Sequence, residues 1–294
     1  MTRLEEPGSR IVWLVCNAAS GSNSEETVRE VRTAFAEVGL DLQRVIPFPD
    51  EPAPDKGELA EAGVDILAVF GGDGTVHAVM KQAAQWDGPV LVLPGGTMNL
   101  LSKRVHGDVP APEIVTRLAS GRWRCTRPLV IRTRYGIALT GVLAGPGAIW
   151  NEVREALRSV DLLEVVATTQ EAIRHSTNAP KVLCEEVDCG RDEGYAAITV
   201  TPQDDGLEAN GYYAETLGDY AGQGIALLNR NFRDGPHDEL GLHDEVRLVC
   251  PEGEPMGLLI DGEPFDGSAE ETFEPVPCEM NLITTIDEVR GDAR

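Results

Sequence analysis

Between residues 11 and 119 the chain repeats one pattern: a short apolar run, a loop of small residues, then apolar residues at helical spacing. The apolar runs cover residues 11–16, 42–46, 65–70 and 90–93. An uninterrupted apolar run of this length predicts a strand that is buried on both faces. Helices are predicted after Ser22, after the glycines at 71–74, after Asn99 and over 112–119. Strand–loop–helix units in series predict a doubly wound parallel sheet.

From residue 125 the pattern changes to strands that follow one another with few helices between them. Strands are predicted over 129–133, 137–143, 196–201, 245–250 and 257–260. Helices are predicted only over 151–160 and around 220–229. The sequence therefore predicts an α/β domain over 1–124 and a mostly β, sandwich-like domain over 125–294.

Charge and composition narrow the possible partners. The 294 residues carry a formal net charge of −24. Because nucleic-acid binding depends on Lys and Arg that release phosphate counterions, this composition argues against a nucleic-acid partner. It also gives little attraction to anionic lipid surfaces, so we expect any membrane contact to be local and partly apolar. No apolar run approaches the length of about 18 residues that a membrane-spanning helix needs.

The cysteines and the N-terminus bear on the cellular compartment. The six cysteines are scattered without zinc spacing, which predicts free thiols in a reducing environment. The N-terminal segment lacks the apolar stretch of a signal peptide. We therefore expect a cytoplasmic protein.

Three loops of small residues follow predicted strands, over 17–22, 71–75 and 95–99. In a parallel sheet these loops lie at the edge where ligands bind. Glycine backbones and helix N-termini present N–H groups that bind phosphate. Neither GxxxxGK[ST] nor GxGxxG is present, so the loops predict a nucleotide held without the two commonest motifs. Since Asp73 would repel phosphate directly, it indicates either Mg²⁺ on the nucleotide or a proton acceptor beside it.

The segment GGDGTVHAVM (71–80), followed by LPGGTMNLL (93–101), resembles the diacylglycerol kinase catalytic domain family, which includes bacterial lipid kinases, sphingosine kinases and ceramide kinases. The family's Asn-Pro-x-Ser-Gly loop corresponds to residues 17–21, with Ala18 in place of proline. The resemblance implies an active site in a cleft between a nucleotide domain and a lipid-substrate domain. The nucleotide-binding residues that it implies are Asn17, Ser20, Gly21, Gly71, Gly72, Gly74, Thr75, Gly96, Thr97 and Asn99.

Two later segments also resemble the family. The segment LLIDGEPFDG (258–267) is similar to its DGE motif, which implies that Asp261 accepts the proton of the substrate hydroxyl, with Glu263 nearby. We assign the Mg²⁺–triphosphate site to Asp73, although the resemblance allows the base role for either aspartate. Asp205-Gly206-Leu207 resembles an element that holds a structural metal, so Asp73 and Asp205 are the candidate metal ligands.

The sequence thus predicts a lipid kinase that transfers the γ-phosphate of Mg²⁺-bound ATP to a lipid hydroxyl. The acceptor stays open between diacylglycerol-like and sphingolipid- or ceramide-like lipids. Transient peripheral contact with the inner face of the membrane is expected. One alternative is an NAD kinase, which also carries GGDGT, but here Thr201-Pro202 continues as QDDGL rather than as that family's Thr- and Ser-rich stretch. The other alternative is a catalytically silent lipid- or nucleotide-binding module.

Overall fold

The computed structural model describes residues 10–17, 25–96, 99–146, 181–185, 190–213 and 237–286. The helices are α1 Glu25–Glu37, α2 Lys56–Glu61, α3 Asp73–Gln82, α4 Leu100–His106 and α5 Ala111–Ala119. The strands up to the middle of the chain are β1 Ile11–Cys16, β2 Asp41–Pro47, β3 Ile66–Gly71, β4 Pro89–Pro94, β5 Arg124–Thr126, β6 Leu129–Thr133, β7 Gly136–Ala138, β8 Val142–Pro146 and β9 Leu183–Cys184. The later strands are β10 Ala197–Pro202, β11 Leu207–Tyr212, β12 His237–His243, β13 Val246–Val249, β14 Met256–Ile260, β15 Glu263–Asp266, β16 Glu270–Pro277 and β17 Asn281–Thr284.

The chain forms two compact units, and the first of them is discontinuous. Unit 1 consists of Met1–Pro128 and Cys278–Arg294, and unit 2 consists of Leu129–Pro277. The predicted division into 1–124 and 125–294 differs from these units at both ends. The chain enters unit 2 four residues later, and it returns to unit 1 because β17 pairs with β4 and β5.

Unit 1 is built on one six-stranded sheet with the order β2-β1-β3-β4-β17-β5. All neighbours in it are parallel except β17 and β5. Every residue of β3 is buried, as the continuous apolar run predicts. On one side of the sheet, alternate residues of β1, β3 and β4 share a core with α1 and α5. The strand order reverses between β1 and β3, so their carboxyl ends form the switch point where ligands bind in open α/β sheets.

One helix of unit 1 lies outside the predicted elements. Helix α2 follows the Pro-rich loop and begins at a capping box, in which the Asp55 side chain accepts from the Glu58 N–H while the Glu58 side chain accepts from the Asp55 N–H. These two residues are the sequence signal for the start of a helix. At six residues, α2 is too short to show an apolar period.

Unit 2 consists of two antiparallel sheets that share one core. Their strand orders are β12-β11-β10-β8-β14-β15 and β7-β6-β16-β13-β9. Buried residues from both sheets form one hydrophobic cluster, which includes Val200, Leu258, Leu248 and Phe273. The predicted strand over 137–143 is two strands, β7 and β8, with a break at 139–141. The predicted helices at 151–160 and 220–229 lie outside the described residues.

Two further sequence expectations concern the cysteines and the membrane. Cys16, Cys125, Cys250 and Cys278 are free thiols. Cys184 instead is disulfide-bonded, so the expectation of free thiols is wrong at this position. Within the described ranges, no helix is both long and apolar enough to cross a membrane.

Candidate active site

The loops that follow β1, β3 and β4 are joined to one another at the switch point. The Asn17 side-chain amide donates to Thr75 Oγ1 at 2.9 Å, and the Asn17 N–H donates to the Phe70 carbonyl at 3.0 Å. The Gly95 N–H donates to the Gly71 carbonyl at 3.1 Å. The structure therefore brings Asn17, the GGDGT segment and the segment after β4 together, as the sequence predicts for a ligand site.

Two of the glycines are required by contacts between the loops themselves. A Cβ atom on Gly96 would lie 2.4 Å from the Gly72 Cα atom, which is backbone and cannot rotate away. A Cβ atom on Gly71 would lie 2.8 Å from the Thr75 Cβ atom. The sequence analysis gives these glycines as candidate nucleotide-binding residues. At Gly71 and Gly96 the close approach is already made by the protein.

Asn99 fixes the conformation of the loop after β4. It has a left-handed backbone conformation, with φ of 53°, and it is the N-cap residue of α4. Its side chain accepts from the Gly96 N–H at 2.7 Å and donates to the Gly96 carbonyl at 2.8 Å. Both polar ends of the Asn99 amide are therefore committed to Gly96 and do not cap α4.

Asp73 supplies the cap that Asn99 does not. It is the first residue of α3, and its carboxylate oxygens accept from the N–H groups of Leu100 and Leu101 at 3.0 and 3.1 Å. A carboxylate at this place stabilises the positive end of α4. The first N–H groups of α4 are thus occupied by a side chain of the protein. The sequence pattern instead favours these N–H groups as donors of hydrogen bonds to phosphate.

The N-terminus of α3 is the other source of amide donors in this loop cluster. Its N-cap residue Gly72 has no side chain to offer, and the first intrahelical bond runs from Val76 N–H to the Gly72 carbonyl. The N–H groups of Gly74 and Thr75 come before that bond and have no intrahelical acceptor. These two N–H groups, with the hydroxyl of the largely buried Thr75 beside them, form a set of donors suited to an anion.

Three of the predicted nucleotide-binding residues, Ser20, Gly21 and Thr97, lie outside the described residues. Asp205 is exposed in the turn between β10 and β11. Among the described residues, no group of three or more His, Cys, Asp and Glu side chains is placed to hold a metal.

Asp261 lies at the turn between β14 and β15 in unit 2. Both Asp261 and Gly262 have positive φ, 50° and 88°, as a two-residue hairpin turn requires. The Asp261 carboxylate accepts from the N–H groups of Leu139, Thr140 and Gly141 at 2.7, 2.8 and 3.3 Å. It also accepts from the Thr140 hydroxyl at 2.7 Å. The break between β7 and β8 is therefore a cradle for this carboxylate, which we call the 139–141 loop.

The 139–141 loop, and with it Thr140, was not predicted from the sequence. Gly141 inside a predicted strand was the available signal, since a glycine in a strand often marks a bend. Glu263, the third residue of the DGE motif, pairs with Ile260 between β14 and β15; its side chain is exposed and makes no hydrogen bond or ion pair within the described part of the chain.

A buried carboxylate supports the same hairpin from its far end. Glu271 is 1% exposed and accepts from the Ser268 N–H at 2.6 Å and from the Tyr135 hydroxyl at 3.0 Å. Arg134 lies 3.1 Å from its other oxygen. Burial and the hydrogen bond to Glu271 raise the pKa of Tyr135. The connection from β15 to β16 is thus fixed by an ionic and hydrogen-bonded network.

His106, at the end of α4, is fully buried. Its Nδ1 atom lies 3.0 Å from Thr285 Oγ1. Burial, with the positive charge of Arg117 nearby, lowers its pKa from 6.5 to about 4. His106 is therefore a neutral core residue that packs α4 against the segment following β17.

Comparison with known proteins supports the family resemblance that the sequence motifs indicate. Residues 11–128 match the family model of the diacylglycerol kinase catalytic domain, which confirms the resemblance drawn from the motifs. A diacylglycerol kinase from Bacillus anthracis str. Sterne has a similar structure, with a TM-score of 0.59 and 17% identity over 94% of this chain and 97% of its own. Another structure from the same strain has a TM-score of 0.56 over the same shares, also at 17% identity. At this identity the likeness shows the fold. No curated protein matches the chain.

Proposed function

We propose, from the match of residues 11–128 to the diacylglycerol kinase catalytic domain, that the protein is a lipid kinase that transfers the γ-phosphate of ATP to a lipid hydroxyl. The observation that carries the proposal is the joined loop cluster at the switch point of the unit 1 sheet, inside the matched segment. There, Asn17, Thr75 and the start of α3 meet where nucleotides bind in sheets of this kind.

The phosphates are proposed to bind at the N-terminus of α3 rather than at that of α4. The N–H groups of Gly74 and Thr75 and the positive end of the α3 dipole favour an anion there. The α4 N-terminus already holds the Asp73 carboxylate. The remaining nucleotide contacts are proposed for Asn17, Ser20, Gly21, Gly71, Gly72, Gly96, Thr97 and Asn99.

A magnesium ion would accompany the nucleotide. Mg²⁺ in kinases binds substrate phosphates, waters and one or two carboxylates, so it does not need a dedicated protein cage. The residues around Asp73 fit this arrangement. They offer one carboxylate at the start of α3, close to the N–H groups that are proposed to bind phosphate. When bound, the ion would offset charge on the transferred phosphoryl group. We propose Asp73 as its candidate protein ligand in addition to its hydrogen bonds to α4, and Asp205 as a second, separate metal position.

The acceptor hydroxyl needs a group that takes its proton as the new bond forms. We propose Asp261 for this role, because the hairpin turn and the 139–141 loop fix its carboxylate rigidly. Glu263 stands two residues away on the same hairpin as an exposed second carboxylate. The acceptor is proposed to be a diacylglycerol-like or sphingolipid-like alcohol, reached by transient contact with the inner face of the membrane from the cytoplasm.

The experiment that tests the proposal is transfer of γ-labelled phosphate from Mg²⁺-ATP to a panel of lipids in mixed micelles, with NAD as a soluble acceptor. We expect label in a lipid and none in NAD. Label in NAD alone would refute the lipid assignment. Stabilisation by ATP with no labelled product from any acceptor would instead identify a silent binding module.

The matched variants are Thr75→Val and Asp244→Asn. Thr75→Val removes the hydroxyl that joins the first two loops, so transfer should fall at least tenfold, chiefly through a higher KM for ATP. Asp244, which is exposed between β12 and β13, provides the control for a changed charge away from the proposed phosphate site, with kcat and the KM for ATP within about twofold of wild type.

A further inference from the structure

We propose that Thr140 is a catalytic residue that passes the proton of the acceptor hydroxyl to Asp261. This inference rests on the proposed kinase function and adds to it a residue that none of the sequence motifs contains. Its basis is the hydrogen bonding around the Asp261 carboxylate, where the Thr140 hydroxyl is the donor that can rotate.

The oxygen of Asp261 that Thr140 contacts has little room for a direct contact with substrate. Each carboxylate oxygen offers about two lone-pair positions. Three of the four hydrogen bonds from the 139–141 loop end on Oδ1, and the one from the Leu139 N–H ends on Oδ2. Two of the three donors to Oδ1 are backbone N–H groups, which cannot move without breaking the loop. A substrate hydroxyl that transfers its proton to Oδ1 must therefore displace the Thr140 hydroxyl or act through it.

The Thr140 hydroxyl is suited to act as the intermediate group. It donates its one proton in a hydrogen bond to Asp261 Oδ1 at 2.7 Å. Across the described ranges its own lone pairs accept no hydrogen bond, so they can receive a proton from a substrate. Thr140 and Asp261 are both only partly buried, which leaves the pair open to a substrate.

The hydroxyl is not needed to hold the loop in place. The N–H groups of Leu139, Thr140 and Gly141 bind Asp261 without it, and the Asp261 N–H donates back to the Gly141 carbonyl at 3.0 Å. Removing the hydroxyl should therefore leave the 139–141 loop and the hairpin in place. This separates a catalytic role from a structural one.

In the transfer step, the acceptor oxygen forms a bond to the γ-phosphorus while the bond from the γ-phosphorus to the ADP oxygen breaks. The acceptor proton moves to Thr140 Oγ1 as the Thr140 proton moves to Asp261 Oδ1, and Asp261 later releases it to water. Phosphoryl transfer passes through a loose transition state with little demand for early proton removal, so the step does not need a strong base.

Glu263 provides the competing explanation. Its exposed carboxylate lies on the same hairpin and could accept the proton directly. A direct base moves one proton in the transition state, whereas the Thr140 relay moves two. Solvent isotope effects measured across mixtures of H₂O and D₂O distinguish the two cases, because two protons in flight give a curved dependence on the deuterium fraction and one gives a straight line.

The test uses the full chain with the lipid acceptor found in the labelling assay. The variants are Thr140→Val, Thr140→Ser, Glu263→Gln and, as a control, Thr201→Val. Thr201 is a matched control because its hydroxyl also donates to a carboxylate, that of Glu208 at 3.3 Å, on the strand neighbouring β8.

Thr140→Val is expected to lower kcat by about 100-fold, with the KM for ATP and the unfolding temperature unchanged. The solvent isotope effect of this variant should depend linearly on the deuterium fraction. Thr140→Ser should stay within about threefold of wild type, as should Thr201→Val, and Glu263→Gln should keep the curved isotope dependence of the wild-type enzyme.

A Thr140→Val enzyme with kcat within about threefold of wild type overturns the relay, and so does a straight isotope plot for the wild-type enzyme. A loss of about 100-fold in Glu263→Gln with normal Thr140→Val assigns the base to Glu263 and also overturns it. In each of these cases the kinase function stands, since wild-type transfer is the reference. Absence of wild-type transfer to every lipid refutes both the function and the relay.

Discussion

Replacing Asp73 with asparagine separates its structural role from a role at the metal. Each carboxylate oxygen accepts one backbone N–H at the start of α4, from Leu100 or Leu101. An asparagine side chain at this position has a single acceptor oxygen, so one of these N–H groups loses its partner and faces an NH₂ donor. The substitution thus damages the cap whether or not a nucleotide is bound.

The size of the effect follows from these two contacts. Loss of a hydrogen bond to a charged group costs about 1.5–3 kcal/mol. Loss of negative charge at a helix N-terminus costs about 0.3–1 kcal/mol more. The free energy of unfolding of unit 1 should fall by about 2–4 kcal/mol. At about 2–4 °C per kcal/mol for a domain of this size, the unfolding temperature should fall by about 4–16 °C.

The assay is scanning calorimetry of Asp73→Asn without nucleotide and with EDTA. The control is Asp50→Asn, which makes the same chemical change at an exposed turn of unit 1 and should leave the transition unchanged. A nucleotide-free transition identical to wild type, with loss only of the stabilisation by Mg²⁺-ATP, would show that Asp73 acts at the metal and that its role as a cap is wrong.

Three further predictions concern one loop glycine and two buried groups. Gly96→Ala should weaken Mg²⁺-ATP binding and lower the free energy of unfolding by about 1–3 kcal/mol, because the new methyl group would lie 2.4 Å from the Gly72 Cα atom. Titration calorimetry measures the change in binding, and denaturant unfolding measures the change in stability. His106 has a folded pKa of about 4 against 6.5 unfolded, so its contribution of about 3 kcal/mol is present above pH 6.5 and is lost as the pH falls towards 4. Urea unfolding of wild type and His106→Gln at about pH 7.5 and about pH 4.5 should therefore show a smaller acid loss in the variant. Glu271→Gln should lower the free energy of unfolding of unit 2 by about 1–3 kcal/mol, because the new amide would face Arg134. The urea midpoint measures this loss, and an unchanged midpoint would contradict the inferred network.

The elements with a strong local signal were predictable from sequence. The apolar runs at residues 11–16 and 65–70 correspond to β1 and β3 because a strand buried on both faces must be apolar throughout. Strand β12 carries only one buried residue, Leu240, among seven, and β9 has two residues. Such strands have too few buried positions to show a period, and β-pairing with distant strands forms them.

For the site, the sequence identified the loops but not what each side chain binds. Asn17, Thr75 and Gly96 do come together, because all three follow adjacent parallel strands. The partners of Asp261 lie 120 to 122 residues away in sequence, and no local pattern encodes such a contact. The same limit applies to Asp73, whose role at α4 depends on the meeting of two loops 27 residues apart.

Strand β17 has a consequence for biosynthesis. It pairs with β4 and β5, and the Asn281 side chain bonds to the Asp87 carbonyl and to Arg127. On the ribosome, these residues emerge only after all of unit 2, so until then the sheet of unit 1 has β4 unpaired on one edge. A fragment that ends at Pro128 would expose that edge to other chains. Recombinant expression of the matched domain alone should therefore give aggregates, and supplying residues 278–286 on a short linker after residue 128 should restore a soluble fold.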